Sequence, residues 1–234
     1  MTQIPTGRAD SITDATDAGL DVVLDPTVQA RLDAVGLPAL ITERTLAESA
    51  RVSSALDDPA ATASRAGYAA WLRRQAGAWT AVRLPAVHVA ALDWPLASVR
   101  PQCLDVVGLI VADLRELCPR TRPSRVPVQG WPAETPPHGM IVAAALLCVR
   151  VAHRSAGLLG PVLHLSDGIT AAGTATRYLS RCQDLAERAA GVEREVTSWA
   201  GAADPTQLHL ALLASTQLTR RLADALEAGS RTGW

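Results

Sequence analysis

The sequence contains no phenylalanine and no lysine. Its 234 residues include six Trp and two Tyr, so aromatic side chains make up only 3% and Leu, Val and Ala must supply most of any interior. Small aliphatic side chains favour helices that approach one another closely. All 22 basic residues are Arg, which is the composition a strongly GC-biased genome writes. The lack of Lys excludes Schiff-base chemistry, lysine nucleophiles and the phosphate-binding lysine of a P-loop.

Cysteine is sparse as well. Cys103, Cys118, Cys148 and Cys182 are widely separated, form no C-x-x-C or Cys/His ligand spacing, and each falls in an apolar helical stretch. They read as reduced core residues. Residues 1–17 show no basic segment followed by an apolar run, so no secretory signal is expected and the default location is cytoplasmic. The apolar run MIVAAALLC, Met140 to Cys148, is too short for a bilayer before Arg150, His153 and Arg154 intervene. It reads as a buried core helix, with no membrane partner.

What is present is 48% hydrophobic and 19% charged, enough to bury one sizeable core or two small ones and too apolar for a wholly disordered chain. The formal charge of -1 hides an asymmetry. Residues 1–59 hold four Arg against ten acids, whereas residues 119–165 hold five Arg against Glu134 alone. Residues 1–25 are rich in Thr, Asp and Gly and are expected to form an acidic, disordered or loosely docked tail.

Helix signals follow from there. Asp25-Pro26 supplies an N-cap and a first-turn proline for a helix ending at Gly36; a second is expected from Thr42 to about Leu56. Asp58-Pro59 repeats the signal for a third helix running to about Trp79. From Pro101, the residues Cys103, Val107, Ile110, Leu114 and Leu117 recur at steps of four and three, with Asp113 and Glu116 off that seam. Together, 26–118 form an N-terminal helical domain.

The stretch PRTRPSRVPVQGWPAETPP, residues 119–137, holds six prolines and three Arg and reads as an extended connector. Residues 138–234 form a C-terminal helical domain, or one continuous bundle with 26–118. Within it a long helix is expected from Ser166-Asp167 to Gly201, its seam made by Tyr178, Cys182, Leu185, Ala189, Val192, Val196 and Trp199. Asp204, Pro205 and Gln207 then start a last helix whose stripe is Leu208, Ala211, Ser215, Leu218, Leu222 and Ala225. Two seam-bearing helices joined so closely must turn back on each other. The expected fold is an all-α, multi-helix bundle with a long C-terminal antiparallel αα-hairpin.

Catalytic templates find no footing. The close acid pairs, Asp57-Asp58, Asp113 with Glu116, and Glu193 with Glu195, sit at a helix boundary or on polar helix faces. The histidines at 88, 138, 153, 164 and 209 offer no H-x-x-x-H spacing, so neither metal nor cofactor is indicated, and Ser166 in L-S-D-G lacks a nucleophile elbow. No catalytic residue is assigned. The stretch RVSSALDDPAATASRAGYAAWL resembles the recognition-helix end of the lactose-repressor type of helix-turn-helix, but the A-G-V-S turn that would define the motif is missing and no family follows from it.

Two clusters carry chemistry. Tyr68, Trp71 and Trp79, with Trp94 farther on, interleave with Arg73, Arg74 and Arg83; such a window can stack bases while guanidinium groups hold phosphates, and Arg120, Arg122 and Arg125 of the connector extend it. Arg150 and His153, on an otherwise apolar helix, read as a buried polar site. The leading expectation is a non-enzymatic helical interaction or scaffold protein that docks to itself or to a larger assembly through the C-terminal hairpin. Binding of nucleic acid or another polyanion is the alternative. A third reading is an enzyme or sensor with an apolar ligand pocket between helices, using Arg150 and His153.

Overall fold

The computed structural model describes residues 24–82, 94–118, 137–165 and 175–231. Most of the acidic tail, Arg83, the connector over 119–136 with Arg120, Arg122 and Arg125, and the Ser166-Asp167 signal lie outside the described residues. Among the described residues every regular element is helical, and the fold is an all-α multi-helix bundle.

Asp25-Pro26 does what its residue types imply. The Asp25 carboxylate accepts from the amides of Thr27 and Val28 at 2.8 and 3.4 Å, Pro26 begins α1 (Pro26–Val35), and Gly36 ends it at φ 78°, a left-handed conformation that side chains disfavour. The chain continues through α2 (Leu37–Arg44), α3 (Leu46–Leu56), α4 (Ala60–Ala63) and α5 (Arg65–Val82). A 3-10 turn (Pro101–Leu104) leads into α6 (Val106–Leu117), followed by α7 (His138–Ala156), α8 (Leu159–Leu163), α9 (Arg177–Glu187), α10 (Ala189–Ala202) and α11 (Pro205–Arg231).

α7 is the centre. Fourteen of its 19 residues are buried, so it must be covered on nearly every side: α9, α10 and α11 pack on it, and α3 adds a further flank. By length and composition it could cross a membrane, but most of it is enclosed by the bundle. α11 reaches beyond it to α5 and α3, and α6 joins α5 to α9. One hydrophobic core is thus drawn from both sides of the proline-rich segment.

Several local expectations change. The helix anticipated from Thr42 to Leu56 is two helices meeting at Thr45. The long seam-bearing helix is also divided, because the Arg188 amide bonds to the Leu185 carbonyl three residues back while its guanidinium donates to the Ser98 carbonyl at 3.2 Å. The seam itself is buried at Tyr178, Cys182, Leu185, Val192 and Val196. Below the break α9 lies on α7 and α6; above it α10 lies on α7 and α2. Both arms of the expected hairpin rest on α7.

On α6 the inward face is Val106, Ile110, Asp113 and Leu117, one step round from the predicted seam, so Cys103, Val107 and Leu114 are only half-buried. Asp113, placed by its charge on the outside, is fully buried. Its Oδ1 accepts from the Arg177 amide at 3.1 Å and its Oδ2 from the Tyr178 amide at 2.9 Å. These are the first two amides of α9, which has no side-chain cap of its own. The Arg177 guanidinium completes the arrangement on Asp113 at 3.3 Å and on Glu116. Burial raises the Asp113 carboxyl above the ordinary carboxylate range, against the pull of the Tyr178 and Arg177 amides and of the guanidinium.

α7 is capped in the same manner. Gln207 was expected to close a capping box on Asp204, yet its Oε1 accepts from the Gly139 amide at 2.8 Å, while Asp204 accepts from the Gln207 amide at 2.8 Å. A Cβ on Gly139 would run into the Gln207 carbonyl and the Ala211 amide, so only glycine lets α7 and α11 meet this closely.

Two stability experiments test these contacts. Asp113→Asn puts an amide donor against an amide donor and is expected to lose about 2–3 kcal/mol in urea unfolding; a loss under about 0.5 kcal/mol would remove the inter-helix cap. Gly139→Ala should cost about 1–3 kcal/mol through overpacking. Gly77→Ala, at an exposed site in α5 where a Cβ meets nothing, should instead gain about 0.5–1 kcal/mol.

Candidate functional site

The outward swing of α10 leaves a space above α7. There α2, α3, α7, α10 and α11 surround a half-open groove with a cavity volume of about 480 Å³, within the size range of small-molecule sites. Its apolar walls come from Ile41 on α2, Val52 on α3, and Ala143, Leu146 and Leu147 on α7. Successive turns of α7 supply Ala143, Leu147, Arg150 and Arg154, so the same helix face passes from apolar to cationic along the groove.

Arg150 is half-buried, and its Nη2 donates to the Pro38 carbonyl at 2.8 Å and to the Thr42 hydroxyl at 2.7 Å, fastening α2 to α7. Among the described residues no carboxylate lies within ion-pair distance of it. Burial lowers its pKa from the ordinary guanidinium value, with Glu193 on α10 acting in the opposite direction. Within the groove lining the fixed charges are Arg150, Arg154 and Glu193, which leaves one positive charge in excess. Ser215 on α11 also lines the groove; it is 3% exposed, and its hydroxyl has no hydrogen-bond partner among the described residues. A buried hydroxyl without a partner costs about 1–3 kcal/mol. In the groove lining it is the buried polar side chain that a ligand atom or a water would satisfy.

Of the two polar residues expected on α7, Arg150 is half-buried and in the groove, whereas His153 is exposed at its rim beside Arg154. The correction has a simple cause. The last turn of α7 turns Val151, Ala152 and Ser155 inward, which leaves 153 and 154 facing out. Neither Glu193 nor Ser215 was assigned to a site. Ser215 was visible only as a member of a helix stripe, and Glu193 only as half of an acid pair.

The Tyr/Trp/Arg window does not form a stacking surface. Tyr68, Trp71 and Trp79 are 0, 0 and 2% exposed, because the helix that carries them turns this face into the core. Tyr68 stacks on Trp71 at 6.1 Å between centroids, Trp71 lies 5.9 Å from Tyr178, and the Trp79 indole donates to the Tyr178 hydroxyl at 3.4 Å. Arg74 pairs with Asp58, and Arg73 donates to the Cys118 sulfur at 3.1 Å. Arg83, Arg120, Arg122 and Arg125 lie outside the described residues.

No family model, characterised protein or solved structure matches this chain. The groove must therefore be read from its own chemistry.

The four thiols are free. Burial pushes Cys148 upward in pKa and Cys182 up to about 12, so neither offers a thiolate. Alkylation of the native protein with a small maleimide is expected to spare these two and to reach Cys103 and Cys118 first, with all four labelled in urea. Mass spectrometry of the native-labelled peptides showing Cys148 or Cys182 modified would contradict this packing.

Proposed function

We propose that this protein binds a small, largely apolar ligand in the groove over α7, as a sensor or carrier, with Arg150 as its polar anchor. The observation that carries the reading is a half-buried guanidinium at one end of an apolar groove, with no carboxylate partner among the described residues. An ion desolvated to that extent is costly to keep without a counterion. A ligand supplies one.

The docking reading draws less support from the same observations. The long arm expected to reach out and dock is divided at Arg188, and both of its parts rest on α7. Large hydrophobic side chains exposed among the described residues are Leu46 and Leu163 alone, short of a contiguous apolar patch. Polyanion binding likewise loses its aromatic half to the core.

Nile red, a neutral dye whose emission rises in apolar surroundings, provides the test. Saturable binding at about one dye per chain is expected for the wild type. Ser53→Phe fills the groove from α3 and Ala190→Trp crosses its mouth from the exposed side of α10. Each should weaken the dye by about tenfold or more while far-UV circular dichroism stays unchanged. Equal binding to both variants, or none to the wild type, would sink the reading.

A further inference from the structure

We propose that the ligand of this groove is an apolar monocarboxylate, lying along α7 with its carboxylate at Arg150 and its far end beside Ser215. The inference rests on the groove being a ligand site and adds the chemistry of what fills it.

Three observations carry it. The first is the direction of the polarity. From Ala143 to Arg154 the α7 side of the groove extends eleven residues, about 16 Å at the helical rise, with the cationic residues gathered at one end. Such a site matches a long molecule with one charged end better than one with its charge at the middle.

The second is the charge balance. Arg150 and Arg154 against Glu193 leave a single positive charge in the lining. A monoanion neutralises it, whereas a dianionic phosphate would leave an uncompensated negative charge next to Glu193. Arg150 has spent only Nη2 on Pro38 and Thr42. Its Nε and Nη1 have no acceptor among the described residues; these N–H groups leave the guanidinium on different edges, and either can give one carboxylate oxygen a charge-assisted hydrogen bond.

The third is Ser215. α7 and α11 touch where Gly139 meets Ala211, and one helical turn farther along both helices stand Ala143 and Ser215. This puts the unpartnered hydroxyl at the apolar end, seven residues or about 10 Å along α7 from Arg150. A ligand with a hydroxyl or carbonyl oxygen remote from its carboxylate would satisfy both ends.

Displacement of Nile red from the full chain by decanoate, decanol, decyl phosphate and 10-hydroxydecanoate separates the possibilities. Decanoate is expected to compete about tenfold better than decanol and better than decyl phosphate. Arg150→Met should abolish the advantage over decanol while Nile red still binds. Glu193→Gln, a change at an exposed side chain that leaves the bundle intact, should tighten decanoate about threefold, so the proposal stays testable if Arg150→Met unfolds. The hydroxyl of 10-hydroxydecanoate should improve competition in the wild type and lose that effect in Ser215→Ala.

Equal competition by decanoate and decanol, with Nile red bound normally, overturns the carboxylate and leaves the groove reading standing. Preference for decyl phosphate overturns it in favour of a phosphate monoester. An unchanged decanoate affinity in Glu193→Gln counts against it as well, and absence of Nile red binding removes the groove reading on which it rests.

Discussion

The two central helices begin without local caps, and their first amides are satisfied from far along the chain. Gln207 of α11 closes the start of α7 across 68 residues, and Asp113 of α6 closes the start of α9 across 64. An α-helix exposes four unbonded amides at its N-terminus, and inside a bundle those amides have no water to turn to. The caps therefore do two things at once. They remove a desolvation penalty and they fix which helix end sits beside which. α6 is fastened to α9 and α11 to α7, and the remaining helices pack around that frame.

The groove is a consequence of the same frame. With α9 held at its start by Asp113, the break at Arg188 decides where the rest of the arm goes, and the arm leaves α6 for α2. Arg188 and Glu195 both bind the segment around Ser98: the guanidinium takes the Ser98 carbonyl, and the Glu195 carboxylate accepts from the Ser98 amide at 3.0 and 2.9 Å. α10 is thereby anchored on its outer side. Its inner side faces α2 and α3 across the upper part of α7, with Arg150 bridging to α2 at the bottom.

What could be read from the sequence follows the range of the interactions. Asp25 and Asp204 cap their own helices through amides two or three residues away, so their positions before Pro26 and Pro205 are visible in the local pattern, whereas Asp105 caps α6 after Pro101, the expected start, yields only a 3-10 turn. The α9–α10 seam and the enclosed character of α7 are legible for a related reason, since period and hydropathy act within one element. Asp113 was not. A helical wheel places a carboxylate outside, and only a partner helix 64 residues on makes burial tolerable. That misplacement shifts the whole face of α6 by one step and hides the site that organises α9. The Tyr68–Trp71 pair failed in the opposite sense. Aromatic and arginine residues interleave on an exposed stacking surface and on a half-buried helix alike, and the sequence alone does not distinguish which face turns inward.

The absence of Phe bears on the groove itself. A chain with eight aromatic side chains has gathered Tyr68, Trp71, Trp79 and Tyr178 into one cluster between α5 and α9, leaving the α7–α11 side to Gly, Ala, Leu and Ser. Small residues allow backbone-to-backbone approach at Gly139, but they fill space only where helices remain that close. Farther along, α2, α3 and α10 also stand around α7, and among the described residues no Trp or Tyr lines the space between them. Arg150 can bridge it but cannot fill it. A cavity lined by alanine, leucine and a serine without a partner among the described residues, and cationic at one end, is what remains where small side chains line the space and the Tyr68–Trp71–Trp79–Tyr178 cluster lies elsewhere.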